Sequence, residues 1–205
     1  MIRPILMCAA AAAALSLAAC QKNDEANPGQ SEPVNKAQDT VGAAVGATSA
    51  ATLGQTTDGY VAGAAVGDMY EIAAGKLAQQ KGSNAAVKDF GAMLVKDHTA
   101  TSTEMKPLAT AAGQTPPAEM DQRRKGMIDN LTAATGADFD RAFIDQQIAA
   151  HEEALTLHQG YGQDGGDAGL KAFAAKTAPK IQAHLEQARS LQGTAGQGAA
   201  APAAK

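Results

Sequence analysis

Between Thr57 and Gln192 apolar side chains return every three or four residues in four long runs, the spacing of α-helices that each bury one face. The first run begins at Thr57 or Asp58, either of which can cap a helix N-terminus, and ends at Lys81 before Gly82. Ser83 is the expected cap of the second, whose stripe is Val87, Phe90, Leu94, Thr101, Met105 and Leu108. Gly113 closes it, and Pro107 should kink its last turns. The third is expected to start at Asp138, to turn Phe139, Phe143, Ile144, Ile148 and Leu155 inward, and to stop at Gly160. Asp167 caps the fourth, with Leu170, Phe173, Thr177, Ile181, Leu185, Ala188 and Leu191 inward and Pro179 interrupting it. Pro116-Pro117 opens a shorter helix, about Ala118 to Ala134, in the connection between helices two and three. Two helical hairpins joined by a long connection predict an all-α four-helix bundle over residues 57–192. The hairpins also look like copies of each other, since VKDFGAML (Val87 to Leu94) matches LKAFAAKT (Leu170 to Thr177).

The pattern changes outside that block. Residues 1–19 read as a secretion signal: Arg3 gives the positive start, and Ile5 to Leu17 is apolar but too short to span a bilayer comfortably. Leu17-Ala18-Ala19-Cys20 resembles the bacterial lipobox, which makes Cys20 the candidate lipidation site and the membrane the expected partner. Gln21 after the cysteine suggests the outer membrane, with the protein facing the periplasm. Residues 20–56 carry Pro28, Pro33 and the Gly/Ala-rich run TVGAAVGATSAATLG, and are expected to form a flexible tether. Residues 193–205 are expected to be a disordered tail.

Composition sharpens the helical reading. The chain is 45% hydrophobic but 3% aromatic, so its apolar content is mostly Ala, Leu and Val, which favours helix over strand. A formal charge of −4 without a basic block argues against nucleic acid as a partner. There is no phosphate-binding glycine loop, no GxSxG and no HExxH, so no catalytic residue is assigned, which leans against an enzyme and leaves that question open.

The segments GDMYEIAAGKLAQQKG, VKDFGAMLVKDHTA, DFDRAFIDQQIAAHEEAL and LKAFAAKTAPKIQAHLEQA, in that order, resemble an uncharacterised ferritin-like domain family of bacterial envelope proteins. The resemblance covers about Asp58 to Gln192 and implies fold and location, not an activity.

Candidate chemistry rests on Glu71, His98, His151 and His184, one on the inward stripe of each long helix. Imidazoles and carboxylates converging from separate helices are how bundles build metal sites, so a transition metal ion is the candidate cofactor. Counted along the helices at 1.5 Å per residue, Glu71, His98 and His151 fall within about 6 Å in height. His184 falls about 11 Å off that level. The residues three before the histidines are Val95, Ile148 and Ile181, so the Glu-x-x-His motif of di-iron proteins is absent. His158, beside Gly160, is expected at an exposed helix end. The pairs Asp68/Glu71 and Glu152/Glu153 read as solvated faces. Two readings stay open: a lipid-anchored envelope bundle with a structural, stress-related or interaction role, which is favoured, and a metal-binding or redox bundle using Glu71, His98 and His151.

Overall fold

A computed structural model describes residues 32–193, and among these every regular element is an α-helix. In order they are α1 (Glu32–Leu53), α2 (Thr57–Lys81), α3 (Ala85–Ala111), α4 (Gln122–Ala133), α5 (Gly136–Asp164) and α6 (Ala168–Gln192). None of them is long and apolar enough to cross a membrane. The signal, Cys20 and the tail beyond Gly193 lie outside the described residues.

The hairpins α2–α3 and α5–α6 pack side by side, with α2 against α5 and α3 against α6. Gly75 and Gly91 bring α2 and α3 close: a Cβ on Gly75 would come within 2.6 Å of the Gly91 carbonyl oxygen. Two apolar clusters form the core. One gathers Tyr70, Phe90, Leu94, Phe139, Phe143 and Ile144, and the other Tyr60, Met105, Leu157, Tyr161, Leu170 and Phe173. Between them, at mid-height, lie the buried polar residues Asp68, Glu71, His98, Thr101, His151 and His184.

Several boundaries differ from those expected. Helix α2 is capped by Thr56, whose hydroxyl accepts from the Gly59 N–H. Asn84 caps α3, while Ser83 bonds instead to Asp140, which also accepts from the Ser83 and Asn84 N–H groups and ties α5 to the first hairpin turn. The short helix begins at Gln122 under an Asp121 cap, after the prolines rather than on them. Pro107 and Pro179 both lie inside continuous helices. Helix α5 starts at Gly136, so Asp138 belongs to its first turn, and it runs through Gly160 to Asp164. The extra turn is held because Leu157 and Tyr161 are buried in the second cluster, and packing of that kind outweighs the roughly 1 kcal/mol helix penalty of a glycine.

The largest correction concerns the tether. Residues 32–53 form α1, which packs on α5 and α2. Its Ala-rich stretch is a good helix former, and its docking is mixed: Ala50 and Leu53 join the second apolar cluster at its C-terminal end, while Asp39 accepts from Asn130 and Gln146. Gly46 lets the backbone meet Glu153, where a Cβ would come within 2.1 Å of Oε2.

Candidate metal centre

The mid-height layer brings three imidazoles together. His98 from α3, His151 from α5 and His184 from α6 are 3%, 1% and 3% exposed, and their rings are 5.4–5.8 Å apart, centroid to centroid. Each can offer one nitrogen such that all three nitrogens lie within 4.8 Å of one another. An ion with metal–nitrogen bonds of about 2.0–2.1 Å holds its imidazole nitrogens about 3.4 Å apart in a tetrahedral site. The set is therefore open by little more than about 1 Å, a side-chain adjustment.

In each ring one nitrogen is already fixed. His98 Nδ1 donates to Asp68 Oδ1 (2.8 Å), His151 Nδ1 to the Gln147 carbonyl (2.8 Å) and His184 Nε2 to Asp97 Oδ2 (3.1 Å). Asp68 is itself held by Thr101 and Ser102. The other nitrogens, His98 Nε2, His151 Nε2 and His184 Nδ1, are buried without a hydrogen-bond partner. Among the described residues, the remaining buried unpartnered side-chain atoms are Glu71 Oε2 and the amide of the neighbouring Gln147. A buried polar atom without a partner costs about 1–3 kcal/mol, and here such atoms gather in one layer. A metal-ligating histidine ordinarily gives its second N–H to a carboxylate or a backbone carbonyl, which sets the tautomer and aims the lone pair. All three histidines have that arrangement.

The electrostatics favour lone pairs over protons at two of the three. Burial pushes His151 well below its ordinary range, helped by the charge of His98 and His184. Burial and His98 likewise lower His184 to about 4, against the pull of Asp97. At His98 burial also pulls down, but the Asp68 hydrogen bond, Glu71 and Asp97 together outweigh it and its pKa is raised. Burial raises the Glu71 carboxyl to about 7, opposed mainly by His98.

Several sequence expectations change. His184 belongs with the other histidines. His151 lies 13 residues before the end of α5 (151 to 164) and His184 16 residues after the start of α6 (168 to 184), a height difference of about 4.5 Å. Taking Gly160 as the end of α5 had produced the larger gap. Glu71 is buried in the same layer, but its Oε1 is 3.8 Å from His151 Nδ1, the nitrogen already bonded to Gln147, and it falls outside the mutually close set. Asp68 is buried rather than solvated. Of the second acidic pair, Glu152 is exposed and pairs with Arg189, whereas Glu153 is buried between Arg123 and Arg124. His158 is buried too, with Nδ1 3.0 Å from the Tyr60 hydroxyl, because α5 continues past Gly160. Sequence reasoning expected Asp97 as a hydrogen-bond neighbour of the histidines, and it accepts from His184, but it missed the role of Asp68. That role follows from helix register: Asp68 stands 13 residues before the end of α2 and His98 13 residues after the start of α3.

Comparison with curated proteins finds no match to the chain. Among solved structures, CopM in its Cu(II)-bound form is similar at 21% identity and a TM-score of 0.59, over 68% of this chain and 97% of that one, which is a likeness of fold. The family model described as Domain of unknown function (DUF4142) matches residues 42–191, from within α1 to the last turn of α6, and the chain belongs to that family.

Proposed function

We propose that this protein is a metal-binding helical module of the bacterial envelope, holding one divalent transition metal ion through His98, His151 and His184. One observation carries the reading: three buried imidazoles from three helices, their rings 5.4–5.8 Å apart, each with one nitrogen fixed by a hydrogen bond and the other left without a partner. Imidazole suits copper, zinc, iron and nickel, and in a nitrogen and oxygen site Cu²⁺ binds most tightly of the divalent series. The fold likeness to a protein solved with Cu(II) makes copper the first ion to test. Asp68 and Asp97 would orient their histidines and supply negative charge near the ion. The four long helices are read as a ferritin-like four-helix bundle, without the carboxylate motif a di-iron centre needs. Cys20 is read as the lipid-bearing residue that holds the module at the outer membrane, facing the periplasm.

The test uses untagged full-length chain. Cu²⁺ and Zn²⁺ are added singly, bound metal is counted, and melting is followed with and without chelator. Stoichiometric metal should raise the melting temperature, since a ligand at 100 times its Kd stabilises the native state by about 2.7 kcal/mol. No bound ion and no shift for any divalent metal would leave the reading of an envelope bundle with a structural or interaction role. Anchoring is tested separately, since Cys20→Ser should release the protein from membranes.

A further inference from the structure

A small chamber of about 30 Å³ opens between α2 and α5 and reaches the histidine layer at His98, the one of the three imidazoles that lines it. A volume of about 10–15 Å³ is enough for one water, so the chamber takes one or two small groups. It exists because the facing positions of the two helices, Gly63 and Gly67 on α2 and Ala150 and Ala154 on α5, carry almost no side chain. Gly67, Ala150 and Ala154 are half-buried, so the chamber reaches towards the surface there, and a Cβ on Gly67 would meet no atom within 4 Å.

Most of the polar groups around the chamber are already used. Arg124 is bonded to Glu153 and Asp121, Asp68 to His98, Thr101 and Ser102, Tyr70 to Gln146, and His158 to Tyr60. Two that line it keep a buried atom outside these bonds: Glu71, 4% exposed, whose carboxyl interacts with the Gln147 side chain but whose Oε2 makes no well-formed hydrogen bond, and His98, 3% exposed with Nε2 unpartnered. A closed structural zinc-type site takes four protein ligands, whereas a centre with three keeps a position for something else. The histidines supply three, and Glu71 lies on the used edge of His151, outside the close set.

We propose that this chamber is the open side of the metal centre, a position for one small exogenous ligand, water or a small anion, beside the ion held by His98, His151 and His184. The inference rests on the metal-binding reading. The unpartnered Glu71 Oε2 would accept a hydrogen bond from a water there, and the slot at Gly67 is its route from solvent.

The test loads the full chain with one equivalent of Cu²⁺ and titrates it with azide, following the azide-to-copper charge-transfer band and the electron paramagnetic resonance spectrum. Pulsed resonance after exchange into deuterium oxide reads exchangeable water near the ion. Wild type should bind azide saturably and show deuterium coupling. Gly67→Leu, which fills the slot, should weaken azide at least about tenfold, equivalent to about 1.4 kcal/mol, with copper still bound. Gly67→Ala, for which there is open space, should fold as wild type and weaken azide less. Copper that binds stoichiometrically but shows neither azide nor deuterium overturns the open position and leaves the metal reading standing. Azide binding unchanged in both Gly67 variants places the open position elsewhere and also overturns it. A chain that takes up no copper defeats the metal reading itself, and this inference with it.

Discussion

Helix α5 carries two buried histidines seven residues apart, on the same face and two turns along, in opposite chemical circumstances. His158 sits in an aromatic cage: Tyr60 lies edge-on to it at 5.4 Å and shares a hydrogen bond with its Nδ1, Tyr161 stacks on Tyr60 at 4.1 Å, and Phe173 closes the far side at 6.2 Å. His151 faces two further imidazoles, and its Nε2 has no partner. The two are equally inaccessible, at 6% and 1% exposure, so burial alone does not distinguish a core histidine from a ligand. The difference lies in the neighbours each ring faces: aromatic rings and a tyrosine hydroxyl around His158, two further imidazoles around His151.

The comparison is broken most directly by removing each histidine in turn. His151→Ala takes one of the three proposed ligands and should weaken Cu²⁺ or Zn²⁺ more than about 100-fold, beyond the range usual for a merely supporting residue. His158→Phe should leave the affinity unchanged. Competition titration against a chelator of known strength reads both, and equal losses in the two variants would erase the distinction drawn between them.

A smaller effect should follow from the residues behind the ligands. Asp68→Asn keeps the shape of the side chain but removes the charge that fixes His98 Nδ1–H, and should cost about 10–100-fold in metal affinity. Asp97→Asn should cost less, because Asp97 is more exposed than Asp68 and its hydrogen bond to His184 is longer. A larger loss from Asp97 than from Asp68 would mean that the tautomers are set in another way.

The four long helices were legible because their signal is local: periodic apolar residues, and a cap at Asp167 that matches the observed one. The cluster was partly legible, since inward histidines at matching heights on different helices must meet somewhere. What failed depended on tertiary contacts. Gly160 looks like a helix stop, but Leu157 and Tyr161 gain enough burial to carry α5 past it, which buries His158 and brings His184 to the level of the site. Helix α1 has no apolar stripe to read, and its exposed Val41 and Val45 face away from the core. It is held by the burial of Ala50 and Leu53 at its end and by pairings such as Asp39 with Asn130 and Gln146, which only the folded arrangement creates.

Acid should act differently on the two environments. Burial lowers His158 to about 4, opposed by Asp68 and reinforced by His98, while in the unfolded chain it titrates near its ordinary value of about 6.5. Between these values the unfolded state binds the extra proton, so stability falls as pH drops from about 6.5 towards 4. At about 1.4 kcal/mol per pH unit the window corresponds to a loss on the order of 3 kcal/mol. His151 and His184, also lowered, add to the slope in the metal-free protein. Glu71 opposes it: raised to about 7, it contributes stability at low pH that is lost as pH rises from about 4.5 through 7. Subtracting the urea stability of His158→Phe from that of wild type across this range isolates His158. A flat difference would mean that the cage admits the proton.

The smallest expected effect tests the cage alone. Tyr60→Phe keeps the ring, its stacking on Tyr161 and its complete burial, and removes only the hydroxyl that serves His158 Nδ1. One hydrogen bond is worth about 1 kcal/mol net, and leaving its buried partner unsatisfied adds to that, so the metal-free domain should lose about 1–2 kcal/mol by urea unfolding at neutral pH. The stacking surface is untouched, so the apolar contribution of the second core cluster should survive and the slope of the urea transition should not change. Metal affinity should also stay at the wild-type value, because Tyr60 belongs to the aromatic cluster and makes no hydrogen bond to His98, His151 or His184. If Tyr60→Phe instead weakened copper binding as Asp68→Asn does, the cage and the metal layer would be one coupled unit, and His158 would have to be counted among the residues that hold the site in place.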